Sequence, residues 1–279
     1  MTDDARVDEY ELLDVGRGMR LERFGSRLVA RPHAAAAGEP GDPDAWRAPT
    51  LEFVPGSGWR GPGADEPWLI GLEGLRLELR PTTTGQVGLF PEQAPSWDWV
   101  RQRVAGGARR VLNLFGYTGV ATLVVARAGA EVAHVDAARP TLAWARRNAE
   151  LSGLADRPIR WLVDDAGAFV ERELRRRRRY DGVVLDPPSY GHGRAGRTWR
   201  LEADLPALLA GCAELVDAPG GFVLLTAHTQ GAWPAQLAGR LADAIGVHPA
   251  ELQAGPLVLQ ARSGRRLELG AFARWPGTA

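Results

Sequence analysis

The chain has 279 residues, of which 45% are hydrophobic, so it is long enough for one large domain and one smaller domain, each with its own core. Its 34 basic and 34 acidic residues balance, so net charge indicates neither a nucleic-acid nor a membrane partner, although it leaves room for a local basic patch. Every basic residue is arginine, which excludes a Schiff-base lysine. The single cysteine, Cys212, excludes an internal disulfide and a cysteine-based metal cluster, and we expect no bound metal.

The N-terminal segment MTDDARVDEYELL is acidic and lacks the apolar core of a targeting signal. No later run reaches the roughly 18 apolar residues that a membrane span requires. These two features predict a cytoplasmic protein.

Residues 1–80 contain short β-like runs, such as SRLVARP, TLEFV, WLIGL and LRLELRP, separated by clusters of glycine and proline. This pattern predicts a small β-rich N-terminal domain. Residues 81–110 then form a connecting segment and a first helix, which we expect to end near Val104.

From residue 111 to residue 279, short apolar runs alternate with helical stretches. Examples of the apolar runs are VLNLF, EVAHVD, IRWLV, DGVVLD and GFVLLTA. This alternation is typical of a mostly parallel sheet with helices on both faces. The final stretch, PLVLQARSGRRLELGAFARW, predicts an antiparallel hairpin around Ser263 and Gly264 that closes the sheet.

The first apolar run leads into a turn that contains Gly116 and Gly119, and the second run ends on Asp136. In a doubly wound sheet, the first turn approaches the ligand, and an acid at the end of the second strand accepts hydrogen bonds from ribose hydroxyls. A dinucleotide requires a G-x-G-x-x-G turn, whereas here Tyr117 would obstruct a diphosphate. The turn therefore favours S-adenosylmethionine (SAM), which has no phosphate.

Two further strand ends carry polar residues. Asp164 and Asp165 follow the third run, where one carboxylate can accept the adenine amino proton and the other can cap the next helix. The fourth run ends in DPPSYG, in which Asp186 and the Pro187 carbonyl can accept hydrogen bonds from a substrate N–H. Tyr190 offers a face on which a planar base can stack. We therefore assign catalysis to four residues: Asp186, Pro187, Pro188 and Tyr190.

The stretches NLFGYTG, HVDAARPTLAWARRNAELSGL, IRWLVDDAGAFVERE and YDGVVLDPPSYG resemble the class I SAM-dependent methyltransferases of the 23S rRNA group, which includes cytosine-C5 and guanine-N7 enzymes. The resemblance covers about residues 84–216. It implies a seven-stranded Rossmann-like sheet and a segment, residues 85–93, that folds over the cofactor and contacts it through Phe90. The residues expected to bind SAM are Phe90, Asn113, Phe115, Gly116, Tyr117, Thr118, Gly119, Asp136, Asp164, Asp165 and Asp186.

The chain differs from the cytosine-C5 branch of this group in the position of its cysteine. C5 methylation requires a thiolate that adds to the ring, and the resemblance implies a cysteine after the fifth strand or beside the proline pair. Those positions read LLTAHTQG and DPPSYG here, while Cys212 lies among leucines of a predicted helix. A nitrogen acceptor is therefore favoured.

Two kinds of molecule are candidates for the methyl acceptor. A base in ribosomal RNA is favoured by the resemblance and by arginines around the predicted cleft, whereas a small planar metabolite is favoured by the zero net charge. A SAM-binding module without activity would leave DPPSYG without a purpose. Candidate substrate contacts are Arg194, Arg197, Trp199, Arg200 and His228.

Overall fold

The computed structural model describes residues 9–47, 49–192, 198–216, 220–228 and 233–277. The chain divides into two compact units, and the first comprises the residues up to Ala94 together with Val258–Leu269. The second comprises Pro95–Leu257 and the residues from Gly270 onward. The predicted boundaries at residues 80 and 110 stay predictions. The tip of the C-terminal hairpin, Val258–Leu269, belongs to the first unit.

The first unit is built from β-strands, as the sequence predicts. A five-stranded sheet has the order β1-β2-β3-β4-β5, and β6 and β7 form a separate antiparallel pair. The strands are β1 Tyr10–Gly16, β2 Met19–Phe24, β3 Arg27–Pro32, β4 Leu51–Val54, β5 Gly58–Arg60, β6 Trp68–Leu72 and β7 Leu75–Leu79. Short 3-10 helices span Pro43–Arg47 and Pro91–Gln93.

The hairpin tip joins the first unit through its apolar side chains. Leu267 and Leu269 are buried in one cluster with Leu12 and Val15 of β1. Apolar burial is the dominant favourable contribution to folding, so these contacts explain why a segment so distant in sequence belongs to this unit.

The second unit contains a seven-stranded sheet of order β10-β9-β8-β11-β14-β16-β15. The pairs from β10 to β14 are parallel, and β16 is antiparallel to β14. The strands are β8 Arg110–Leu114, β9 Glu131–Asp136, β10 Ile159–Val163, β11 Gly182–Leu185, β14 Phe222–Ala227, β15 Gln253–Gln260 and β16 Arg266–Trp275. A short pair, β12 Tyr190–His192 and β13 Thr198–Arg200, follows β11.

Helices cover both faces of this sheet. They are α1 Ala94–Ala105, α2 Val120–Arg127, α3 Arg139–Leu151, α4 Ala166–Arg175, α5 Leu201–Leu215 and α6 Pro234–Ile245, with a 3-10 turn at Pro249–Glu251. Leu112 and Leu185 pack in one core with side chains of α4, α5 and α6. Val111 and Val184 pack in a second core with side chains of α1 and α2. Side chains of a strand alternate between the faces, so the two clusters are the two sides of one sheet.

This architecture confirms the predicted fold, including the seven strands and the C-terminal hairpin. The strand order reverses direction between β8 and β11, and ligands of doubly wound sheets bind at the carboxyl ends of strands beside such a reversal. No helix in the described part of the chain has both the length and the apolar character needed to cross a membrane.

Candidate cofactor and substrate site

The turn after β8 has an unusual backbone. Phe115, Tyr117 and Gly119 have φ angles of 56°, 49° and 90°, all in the left-handed region. Non-glycine residues rarely adopt this region, and such conformations persist only where the surroundings enforce them. Gly119 also precedes the first residue of α2, and a Cβ atom on it would lie 3.0 Å from Cβ of Ala145.

Hydrogen bonds hold this turn from several sides. Gly116 N donates to Val135 O at 3.1 Å, and Gly119 N donates to Gly116 O at 3.0 Å. The buried Asn148 side chain of α3 donates to Thr118 O at 3.0 Å. The turn is therefore fixed in shape by β9 and α3, which gives a preformed surface for a ligand.

Gly116 is required by packing against His134 of β9. A Cβ atom at position 116 would lie 2.4 Å from Cε1 of His134, well inside van der Waals contact. Gly116 is predicted to contact the cofactor. In the structure, the absence of a side chain at this position allows the turn to pack closely on His134 of β9.

A buried polar network lies beneath the turn. Asn113 Nδ2 donates to Thr122 Oγ1 at 2.8 Å, and Thr122 Oγ1 lies 2.9 Å from Nδ1 of His134. Burial lowers the pKa of His134 to about 3, so its imidazole is neutral at physiological pH. The side chain of Asn113 is buried and bonded to Thr122 of α2, so it belongs to this supporting network. Its contact with the cofactor stays a prediction.

Asp136 at the end of β9 contacts the turn directly. Its Oδ2 accepts a hydrogen bond from Tyr117 N at 3.0 Å, and its Oδ1 accepts one from Ala138 N at 2.8 Å. Burial raises the pKa of this carboxyl group, and the two backbone donors act in the opposite direction. Because each carboxylate oxygen has two acceptor positions, Asp136 retains the capacity to accept hydroxyl protons of a ribose.

The two acids after β10 have separate roles. Asp165 is the N-cap of α4, and its Oδ1 accepts a hydrogen bond from Ala168 N at 2.9 Å. Asp164 forms an ion pair with Arg172 on the same helix. The predicted helix cap is therefore Asp165, and Asp164 is paired with Arg172 of α4. Their contacts with the cofactor stay predictions.

Asp186, at the end of β11, is held by the adjacent strand β14. Thr226 Oγ1 donates to Asp186 Oδ1 at 2.7 Å, and His228 Nε2 lies 3.4 Å from Asp186 Oδ2. Both members of the Asp186–His228 pair have side chains that are about one-quarter exposed, at 24% and 22%. The structure thus brings together an acid and a histidine that the sequence separates by 42 positions.

Trp199 connects the cofactor turn to the loop with the two prolines. Its Nε1 donates to Pro188 O at 2.7 Å, and its ring centroid lies 5.1 Å from that of Phe115. Trp199 was predicted as a substrate contact, but its N–H group and one side of its ring are used within the protein. The cross-strand neighbours Tyr190 and Arg200 are both exposed.

The remaining predicted residues fall into three groups. Arg194 and Arg197 lie outside the described residues. Phe90 immediately precedes the 3-10 helix Pro91–Gln93 of the first unit, and its contact with the cofactor stays a prediction. Cys212 is fully buried in α5, and burial raises the pKa of its thiol to about 12, so it is not a thiolate at neutral pH.

Within the described residues, no cluster of three or more His, Cys, Asp or Glu side chains could hold a metal ion. Three important residues of the site are absent from the sequence-based predictions: His134, Asn148 and Thr226. His134 and Thr226 are polar residues within otherwise apolar strands, a signal that the sequence contains.

Comparison with known proteins identifies the family. The family model described as S-adenosylmethionine-dependent methyltransferase matches residues 53–261, which is more than half of the chain. A crystal structure of a SAM-dependent methyltransferase from Agrobacterium tumefaciens is 36% identical, with a TM-score of 0.91, and the match covers 98% of this chain and 91% of that one. The chain belongs to the SAM-dependent methyltransferases, and its cofactor is SAM.

Other similar proteins extend the comparison. A solved structure from Streptococcus mutans shares the fold at 17% identity, with a TM-score of 0.72 over 97% of this chain and 76% of that one. A protein of Magnetococcus marinus named ribosomal RNA large subunit methyltransferase K/L is 32% identical over 155 residues, which are 54% of this chain and 21% of the relative. The chain therefore spans about a fifth of the length of that relative.

The geometry of the turn fits SAM. A half-buried carboxylate at the end of β9 suits the ribose, and the phosphate-free cofactor requires no G-x-G-x-x-G turn. The close packing of Gly116 on His134 is compatible with a nucleoside above the turn, because the imidazole lies on the side of the turn that faces β9.

Gly116→Ala should weaken SAM binding by about fivefold or more, because the added methyl group displaces the turn from His134, and overpacking of this kind costs about 1–3 kcal/mol. Isothermal titration calorimetry with SAM measures the effect. Gly239→Ala in α6, where an added Cβ meets open space, is the matched control and should bind like the wild type. Equal affinity of the Gly116 variant would refute the packing argument.

His134 should make folding stability depend on pH. Its folded pKa lies below the unfolded value of 6.5, so its contribution is complete above pH 6.5 and is lost as pH falls toward about 3. The slope approaches about 1.4 kcal/mol per pH unit, or about 2 kcal/mol between pH 7.5 and pH 5. Urea unfolding of wild type and His134→Gln at both values measures this difference.

Between pH 7.5 and pH 5, the free energy of unfolding of the His134→Gln protein should fall by about 2 kcal/mol less than that of the wild type. The prediction is wrong if the free energy of unfolding changes with pH by the same amount in the wild type and the His134 variant.

Proposed function

We propose that this protein transfers a methyl group from SAM to a nitrogen atom of a nucleobase in ribosomal RNA. The observation that supports this most strongly is the Asp186–His228 pair. Asp186 is the first residue of DPPSYG and follows β11, and His228 follows the paired strand β14. A carboxylate and an imidazole can each take a proton from an N–H group, so this pair supports transfer of the methyl group to nitrogen.

On the cofactor side, Asp136 accepts hydrogen bonds from the ribose hydroxyls, and residues Phe115 to Gly119 form the floor under the nucleoside. Asp165 is expected to lie beside the adenine. Its second carboxylate oxygen is the candidate acceptor for a hydrogen bond from the adenine amino group. The contact of Phe90 with the cofactor, expected for the segment 85–93, stays a prediction.

On the substrate side, Asp186 and the Pro187 carbonyl orient the acceptor nitrogen, and Tyr190 stacks on the base. SAM supplies a methyl group on a sulfonium, and the nitrogen lone pair forms the new bond as the S–C electron pair passes to sulfur. When the acceptor is an amino group, the proton that it loses passes to Asp186 or His228. Placement of the two reactants in a site shielded from water provides the rate enhancement.

A nitrogen acceptor requires no covalent adduct with the base. The thiol of Cys212 is buried and protonated, so the thiolate needed for cytosine-C5 chemistry is absent at the one cysteine of the chain. This argument supports nitrogen over carbon as the methylated atom.

The assignment of RNA rests on two observations. Relatives that match about half of this chain are named ribosomal RNA large subunit methyltransferases, including one from Stutzerimonas stutzeri that is 36% identical over 138 residues. The strands β12 and β13 flank a stretch with Arg194 and Arg197, and Arg200 lies exposed at the base of the pair. Guanidinium groups suit phosphate contacts. A cytoplasmic location, where ribosomal RNA is found, stays a prediction.

Incubation with radiolabelled SAM and, separately, ribosomal RNA, transfer RNA and a small-molecule extract tests the proposal. We expect label in a ribosomal RNA nucleoside, with the methyl group on nitrogen by mass spectrometry. Asp186→Asn and His228→Asn should lower kcat by about 100-fold, in line with the usual contribution of a positioned acid or base. Asp156→Asn, a change of an exposed carboxylate, should have no effect.

Two results would contradict the proposal. Label confined to the small-molecule extract would replace RNA with a metabolite as the substrate. Methylation of carbon 5 of cytosine would contradict the nitrogen acceptor, and it would require a nucleophile other than Cys212.

A further inference from the structure

Three large hydrophobic side chains are conspicuously exposed among the described residues: Leu69 at 39%, Tyr190 at 54% and Trp233 at 63%. Leu69 belongs to the first unit, whereas both aromatic residues belong to the second. Tryptophan is among the side chains that gain most from burial, so an indole with nearly two-thirds of its surface in water is unusual. Trp233 is not used by the site described above.

The topology places Trp233 at the same edge of the sheet as Tyr190. Trp233 is the N-cap residue of α6, which follows β14, and Tyr190 begins the strand pair that follows β11. The strands β11 and β14 are paired in parallel, so both connections leave from the same edge. The two exposed aromatic residues therefore belong to the segments that follow two adjacent strands at one edge of the sheet.

The fold itself does not require the indole. Trp233 makes no side-chain cap bond to α6, and its contribution to the helix end comes from its backbone carbonyl, which accepts from Gln236 N at 3.0 Å and from Leu237 N at 3.2 Å. Any residue supplies these backbone bonds. The side chain is thus available to contact a ligand.

The chemistry of this edge suits unpaired RNA. Exposed aromatic rings bind nucleobases by stacking. Arg200, the cross-strand neighbour of Tyr190, adds positive charge beside Tyr190. In an A-form duplex the base faces are covered by their neighbours, so rings at this edge can stack only on bases that have left the helix. Two exposed rings and one guanidinium match a short single-stranded segment.

We propose that Trp233 stacks on a nucleotide that flanks the acceptor base, so that the protein binds its substrate as unpaired RNA in a loop or bulge. This inference rests on the proposed function, since it describes how the same site recognises RNA. Trp233 is a specificity residue in this account, and it takes no part in binding SAM or in the transfer of the methyl group.

The test compares binding of a fluorescein-labelled, mixed-sequence 12-nucleotide RNA with binding of the same strand annealed to its complement. Stacking on one base contributes enough that Trp233→Ala should weaken single-strand binding about tenfold, with little change for the duplex. Trp233→Phe, which retains an aromatic face, should keep most of the affinity. Leu69→Ala, which removes an exposed apolar side chain from the first unit, should bind like the wild type.

Methylation kinetics supply the second readout. For Trp233→Ala, the KM for ribosomal RNA should rise about tenfold, while kcat and the affinity for SAM stay at wild-type values. Thermal unfolding should give the same midpoint for both proteins, since the side chain is exposed. If the alanine variant unfolds early, Trp233→Leu, which keeps an apolar side chain without an aromatic face, replaces it. Its single-strand affinity should fall about tenfold relative to Trp233→Phe, and equal affinities would overturn the inference.

Unchanged single-strand binding by Trp233→Ala would overturn the inference, as would an equal loss for single strand and duplex. A loss of SAM affinity in this variant would also contradict it, by placing the indole in the cofactor site. These outcomes are distinct from a failure of the proposed function, in which wild-type protein labels only small molecules and no RNA.

Discussion

The hydrogen bond from Tyr117 N to the Asp136 carboxylate joins the ends of β8 and β9, and the rest of the site depends on it. The turn after β8 contains three residues with left-handed backbone, a conformation that persists only where contacts enforce it. Asp136 provides such a contact at the surface where the ribose is expected. Below the turn, the neutral His134 fills the space beneath Gly116 and is bonded in turn to Thr122.

The substrate half of the site is built on the next pair of strands. Thr226 of β14 donates a hydrogen bond to Asp186 of β11, so one parallel strand pair positions the carboxylate that we propose faces the acceptor. Trp199 links the cofactor turn to the loop with the two prolines, because its ring packs on Phe115 and its N–H group bonds to the Pro188 carbonyl.

Much of this could be predicted from the sequence, because the alternation of apolar runs and helices determines a parallel sheet, and strand ends of such a sheet share one edge. That reasoning located Asp136 and Asp186. The hydrogen bond between the Asn113 side chain and Thr122 was not predicted, although the period of two in β8 puts Asn113 on the face of Val111, toward α2. The Asp164–Arg172 pair and the Asp186–His228 pair depend on side-chain direction and tertiary packing, which spacing along the chain does not determine.

Calorimetric titration of SAM into wild-type protein and Asp136→Ala tests the central claim most directly, with Asp156→Ala as a control at an exposed carboxylate. The variant loses both the ribose contact and the anchor of Tyr117, and hydrogen bonds to a charged group contribute about 1.5–3 kcal/mol each. We predict at least about 100-fold weaker binding for Asp136→Ala and wild-type affinity for the control. Wild-type affinity in the Asp136 variant would contradict the account.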